Sequence, residues 1–244
     1  MSGPWFVAPP GCWHHDDVRL PPDESHHAAR VLRVMPPDVI TVTDGEGLVA
    51  RCAVRSVDDH GVVAEVVERE EHRRFRPEIV VYQGAAKGSK VDSVVERMAE
   101  LGVAETWSFQ SSRSVVRWDE RKVARLGERW TIIARSAAKQ SRNPFVMQTG
   151  AGLDFRDLLD RVAREQLAVC LWEDASLPLR TALTAPAERV ALVVGPEGGL
   201  ERDEAEALAD AGAQLVSLGP RILRTENAAF AAVSALLFHY GLIG

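Results

Sequence analysis

Two short stretches in the last quarter of the chain gather side chains capable of chemistry. Gly195 to Leu200 reads GPEGGL, and Leu218 to Asn227 reads LGPRILRTEN. Each glycine-proline turn directly follows an apolar, strand-like run, Val190 to Val194 before the first and Leu215 to Leu218 before the second. Turns in that position leave backbone N–H and C=O groups exposed where parallel strands end, and open α/β sheets bind ligands in such crevices. The second turn adds Arg221, Arg224, Thr225 and Glu226 at the mouth of a long apolar helix. Glycine and proline serve the backbone geometry of a turn, which has no use for two arginines flanking Ile222 and Leu223. A structural turn with wet surface arginines is the plain alternative, and it explains one such turn better than a pair.

Several chemistries lack their residues. A dinucleotide-binding fold carries G-x-G-x-x-G after its first strand. The nearest approach here, GAGLDF from Gly150, lacks the third glycine and precedes a clear strand rather than following one. GPEGGL has no Lys-Ser/Thr of a phosphate loop, so triphosphate hydrolysis is unsupported. Cys12, Cys52 and Cys170 are odd in number and scattered, as in a reducing cytoplasm, and none is set for covalent attack on a pyrimidine. His14, His15, His26 and His27 form two adjacent doublets whose members point in different directions, and no spacing matches a zinc template, so no metal is expected.

Hydrophobic content of 46% and charged content of 26% are ordinary for a globular protein. No apolar run approaches the roughly 20 residues of a membrane span, and the N-terminus lacks the pattern of a secretory signal. A net charge of −6 argues against indiscriminate coating of nucleic acid. Local charge differs: between Gln110 and Phe145 nine basic residues, among them Arg113, Arg117, Lys139 and Arg142, face three acidic ones. A solvated helix face accounts for part of this excess, and an RNA track accounts for it better in an otherwise acidic chain.

The elements that must position these groups fall into two architectures. Residues 1–72 alternate short β-branched runs with turn signals at Asp44-Gly45 and His60-Gly61, which predicts a small β-barrel or sandwich interrupted by one helix from about Glu24 to Val34. The charged stretch Glu68 to Pro77 reads as a linker. From residue 73 to 244 strands alternate with helices, as in a largely parallel sheet covered on both faces. Strands are expected at Glu78 to Gln83, Val103 to Phe109 and Leu167 to Trp172. Helices are expected from Ser89, whose spacing to Asp92 suggests a capping box, from Asp119 to Ala138, from Asp154 to Arg164, from Leu200 to Ala211, and from Arg224 to Tyr240. The polar residues Gln140, Ser141, Arg142 and Asn143 then read as a loop beside the basic track. Glu173 stands at a strand end, where acids hold ribose hydroxyls in other nucleotide folds.

These two turns, together with HHAARVLRV (His26 to Val34), DGEG (Asp44 to Gly47), KGSKVDSVVERMAELGV (Lys87 to Val103) and SAAKQSRNP (Ser136 to Pro144), resemble the RsmE family of SPOUT methyltransferases. That family methylates N3 of a uridine in 16S (small-subunit) ribosomal RNA. Lys139 departs from many relatives, which carry an acidic residue before Gln140. The resemblance covers nearly the whole chain and implies a SPOUT-type α/β methyltransferase domain with a C-terminal trefoil knot, preceded by a small PUA-like RNA-binding β-barrel. It implies S-adenosyl-L-methionine as cofactor, held by Leu171, Glu173, Gly195, Pro196, Gly198, Gly199, Leu200, Leu218, Gly219, Ile222, Leu223 and Thr225. It also implies RNA contacts from Arg30, Arg33, Lys87, Arg113, Arg117, Lys139, Gln140, Ser141 and Arg142, a homodimer, and a cytoplasmic enzyme. Methyl transfer to N3 needs the imide proton removed or the resulting charge stabilised. Arg221 or Arg224 suits the charge, and Glu197 or Glu226 suits the proton. A non-catalytic ribosome-assembly protein on the same fold, and a flavodoxin-like nucleotide protein, are the competing readings.

Overall fold

The structure, a computed structural model, describes residues 3–183 and 186–244. The chain divides into two compact units, one of residues 1–74 with 138–146, the other of residues 75–137 with 147–244. The expected division at 72 and 73 did not foresee that 138–146 pack with the first unit. Among the described residues no helix is long and apolar enough to cross a membrane.

The first unit is a six-stranded sheet. Its strands are β1 (Trp5–Val7), β2 (Trp13–His14), β3 (Asp17–Arg19), β4 (Val39–Thr43), β5 (Leu48–Asp58) and β6 (Gly61–Glu71), in the order β1-β4-β5-β6-β3-β2. The long β5–β6 hairpin turns at Asp59-His60, one residue before the expected His60-Gly61, and register shifts at Arg51/Cys52 and Val54/Ser56 bend it. Alternation along the strands buries Phe6, Ile40, Val42, Ala50, Cys52, Val62 and Ala64 on one face. A short helix α1 (Pro22–His26) continues as a π-helical turn over His27–Val31, which is the single helix read from sequence. Residues 68–71 are not linker but the end of β6, paired with Leu48 to Arg51 of β5. Their charges sit on an exposed strand end, where backbone pairing needs no apolar side chain.

The second unit is a six-stranded parallel sheet. Its elements are β7 (Glu78–Gly84), α2 (Lys90–Glu100), β8 (Glu105–Phe109), α3 (Glu120–Ser141), β9 (Gln148–Leu153), α4 (Phe155–Val162), β10 (Leu167–Leu171), α5 (Leu179–Ala182), β11 (Arg189–Val194), α6 (Arg202–Asp210), β12 (Ala213–Val216) and α7 (Thr225–His239). The strand order is β12-β10-β11-β7-β8-β9. The central strands β7 and β11 are buried on both faces, which is why Ile79 to Tyr82 and Val190 to Val194 read as unbroken apolar runs. Helix α2 buries Val91, Val94, Val95 and Met98. The turn after it ends at Gly102, whose φ of +79° lies in the left-handed region.

Local expectations failed in instructive places. Ser89 makes no side-chain cap; the Asp92 carboxylate instead accepts from Arg129 Nε at 3.0 Å and Trp130 Nε1 at 2.8 Å, so tertiary partners outbid a local cap. Helix α3 runs on to Ser141, making Lys139, Gln140 and Ser141 its last turn rather than a loop. Strand β9 went unseen because it carries Gly150, where a Cβ would lie 2.0 Å from the Trp107 ring, and glycine reads as loop. The last strand is Ala213–Val216, two residues earlier than expected.

One ionic cluster braces the N-terminal ends of the parallel strands. Arg189 donates to Glu165 and Glu105, each at 2.9 Å, and pairs with Glu78 at 3.6 Å. Burial pushes the Glu105 carboxyl up, but hydrogen bonds from Trp107 and Arg189 outweigh it, and its pKa lies below the ordinary 4.5. A carboxylate depressed in the folded state adds stability above its unfolded pKa and loses it as pH falls through the folded value. Arg189→Met is expected to cost about 3 kcal/mol in urea unfolding at neutral pH. The variant is also expected to lose stability less steeply than the wild type on acidification below that range.

Candidate active site

The two Gly-Pro loops meet. Gly195 and Pro196 follow β11, Leu218 to Arg224 follow β12, and both line a single cavity of about 750 Å³ at the C-terminal ends of the parallel strands. Leu171, Val194, Leu200 and Leu218 give it apolar walls, and Glu173, Arg221 and Arg224 add charge. Every residue expected to hold a cofactor lines it except Gly198. That glycine faces the other way: its carbonyl accepts from Arg113 Nη1 at 3.4 Å, and a Cβ on it would lie 3.0 Å from the Arg113 carbonyl. Lys90, Trp172 and Ser217 also line the cavity and were not anticipated. Trp172 was within reach of sequence reasoning, being the residue between Leu171 and Glu173.

Backbone crowding explains the glycines. A Cβ on Gly195 would sit 3.2 Å from Gly199 and Leu200, and Gly199 and Gly219 hold φ of +71° and +112°. Such positions favour glycine because a side chain is strained there. The first loop leads into α6, where the Glu201 and Glu204 side chains form a reciprocal capping box with the backbone.

The charged candidates separate by what they touch. Glu197 Oε1 accepts from the Lys87 backbone N–H at 3.0 Å and from Lys90 Nζ at 3.1 Å. Burial pushes the Glu197 carboxyl up, yet these bonds pull harder and hold its pKa below the usual carboxylate range. Glu226 lies outside the cavity lining, one residue past Thr225, and its buried Oε2 has no hydrogen-bond partner among the described residues. Arg221 and Arg224 are exposed at the rim. Burial pushes the Cys52 and Cys170 thiols up to about 12, so neither is a thiolate nucleophile at neutral pH.

The basic track is partly spent inside the protein. Arg113 forms a two-pronged pair with Glu201, at 2.7 and 2.9 Å. Arg117 donates to the Ser111 and Ser112 carbonyls. Lys139 pairs at 2.7 Å with Glu24, whose side chain is 2% exposed. Ser141 Oγ donates to the Ala138 carbonyl at 3.4 Å. Arg121, Lys122 and Arg125 make no ion pair with any described residue, and with Arg117 and Trp118 they line a second recess of about 750 Å³. Arg30, Arg33, Lys87, Gln140 and Arg142 are exposed.

With this geometry in view, known proteins give a consistent comparison. A family model described as an RNA methyltransferase domain matches residues 73–237, and one described as an RNA methyltransferase PUA domain matches residues 20–67. Ribosomal RNA small subunit methyltransferase E of Mycobacterium bovis is 37% identical over 218 residues, covering 88% of this chain and 83% of its own length. The protein of that name from Bacillus subtilis is 33% identical over 229 residues, covering 91% and 90%. The crystal structure of ribosomal RNA small subunit methyltransferase E from Neisseria gonorrhoeae, bound to S-adenosyl methionine, matches with a TM-score of 0.88 at 29% identity over 98% of each chain. A parallel sheet whose strand ends open on two glycine-proline loops, preceded by a PUA domain, thus carries both family signatures, and the chain belongs to the ribosomal RNA small subunit methyltransferase E family of RNA methyltransferases.

Proposed function

We propose that the chain transfers the methyl group of S-adenosylmethionine to N3 of a uridine in 16S ribosomal RNA, working as a cytoplasmic homodimer. The observation that carries this reading is the one cavity shared by both Gly-Pro loops, with two guanidinium groups at its rim. Its donor set fits the cofactor: leucine walls for adenine, loop N–H and C=O groups for the base edge, and Glu173 for ribose hydroxyls. When bound, the cofactor supplies an electrophilic methyl on a sulfonium.

The chain's own residues then have three tasks. The loops hold donor and acceptor in line, and alignment of this kind accounts for much of the rate in such displacements. Methylation at N3 would require the imide proton to leave. Arg221 and Arg224, planar and permanently charged, stabilise the negative charge on the uracil oxygens. Neither carboxylate is placed to take the proton, since Glu197 is committed to Lys87 and Lys90 and is weakly basic while Glu226 lies outside the cavity lining, so the proton leaves to water. Glu197 anchors its loop instead.

Substrate RNA is engaged by Arg117, Arg121, Lys122 and Arg125 around the second recess and by the exposed Arg30, Arg33, Lys87, Gln140 and Arg142. Arg113, Lys139 and Ser141 serve the fold through the partners described above. The trefoil threading belongs to the same reading. It is supported by the path of the chain from central β11 out to β12 at the sheet edge, beside Leu177 and Leu179, then back to α7 packed on β11, β7 and α2. Dimerisation is supported by the apolar groups that α7 and its preceding loop leave uncovered, Phe230 at 41%, Phe238 at 71% and Ile222 at 88% exposure.

Three measurements test this. Arg221→Ala combined with Arg224→Ala is expected to lower single-turnover methylation of small-subunit RNA by about 100-fold or more with the fold intact; unchanged turnover removes the assigned site. Leu218→Arg, which fills the cavity, is expected to abolish S-adenosylhomocysteine binding in calorimetry. Phe230→Glu with Phe238→Glu is expected to give a monomer in light scattering, and a persistent dimer would locate the interface elsewhere.

A further inference from the structure

Gln83 is the penultimate residue of β7, belongs to neither Gly-Pro loop, and is fully buried. Its Nε2 donates to Thr225 Oγ1 at 2.7 Å, and Thr225 Oγ1 lies 2.6 Å from the Gly195 carbonyl oxygen. The protons fix the direction of this chain. A carbonyl only accepts, and a threonine hydroxyl has one proton to give. The hydroxyl therefore donates to Gly195 and accepts from Gln83, so the glutamine must present its nitrogen. Its Oε1 is left buried without a partner among the described residues, an unfavourable arrangement that persists only where the other bonds require it. The same Nε2 lies 3.3 Å from the Gly84 carbonyl oxygen and 3.5 Å from that of Gly195.

The next residue tightens the junction. A Cβ on Gly84 would sit 2.2 Å from Pro196 N and 2.6 Å from Gly195 C, so the end of β7 and the first Gly-Pro loop touch backbone to backbone. Gly195, Pro196 and Thr225 all line the cavity, whereas Gln83 does not. Arg224 and Glu226 flank Thr225 directly in sequence.

We propose that Gln83 is a positioning residue for methyl transfer. Through the Thr225 hydroxyl, its amide clasps the Gly195 carbonyl to the first turn of α7 and so sets the spacing between the two walls of the cavity. The inference rests on the cavity being the cofactor site. A residue that only filled space would contribute to stability and leave the binding constant of the folded protein alone. A clasp sets that constant, because the walls drift when it opens.

The test uses the full chain with Gln83→Met, Thr225→Val and the double variant. Folding is checked by circular dichroism, S-adenosylhomocysteine affinity by calorimetry, and KM for RNA by steady-state assay. Each single variant is expected to weaken cofactor affinity about tenfold, with the double variant no worse than the weaker single, because both cut one chain of hydrogen bonds. KM for RNA is expected to stay within about twofold, since the phosphate contacts that dominate RNA affinity lie elsewhere. Wild-type affinity in folded Gln83→Met, or effects that multiply in the double variant, would overturn the clasp. Should Gln83→Met fail to fold, Thr225→Val is compared with Thr225→Ser, which keeps the hydroxyl; equal affinities overturn it and weaker binding by valine supports it. Leu218→Arg separates the two ideas. If it abolishes binding while the clasp variants do not, the cavity stands and the clasp falls; if it too binds normally, the cavity reading falls and takes the clasp with it.

Discussion

The active end of this molecule depends on a close backbone crossing. Gly84 at the end of β7 lies against Gly195 and Pro196 at the end of β11, closer than any side chain would allow. Neighbouring parallel strands normally lie about 4.8 Å apart, and the loops that leave them usually diverge. Here the loop after β11 lies against the end of β7, and the segment that follows β12 returns to meet it where Thr225 bonds the Gly195 carbonyl. The cavity is a by-product of that convergence. Its apolar walls are simply the last strand residues and the leucines that follow them.

Much of this was written in the residue order. The unbroken apolar runs of β7 and β11 and the stripe Val91–Val94–Val95–Met98 mark a parallel sheet covered by helices, and most cavity-lining residues lie in the two Gly-Pro turns singled out from the sequence, whereas Lys90, Trp172 and Ser217 were not foreseen. What sequence could not show was pairing across long separations. Gln83 looks like an ordinary strand residue until Thr225 is found beside it. Asp92 looks like a local cap until Arg129 and Trp130 claim it. Strand β9 hides because its Gly150 answers to the Trp107 ring rather than to strand propensity.

Charge was the least legible quantity. A count of basic residues between Gln110 and Phe145 treats every one as facing solvent, but Arg113, Arg129 and Lys139 are each matched by an acid from a distant segment, Glu201, Asp92 and Glu24. The excess that remains for a polyanion is narrower than the composition suggests, and it is concentrated around Arg117, Arg121, Lys122 and Arg125. A buried or bidentate pairing fixes a side chain for architecture and withdraws it from recognition.

Trp172 stands in the cavity wall between Leu171 and Glu173, with the Arg202 guanidinium 5.8 Å from its ring. Indole emission responds to the polarity and charge around the ring, and Trp172 lines the space that a ligand would fill. Of the chain's six tryptophans, Trp172 alone lines the cavity, which makes it the indole whose surroundings a bound ligand would alter.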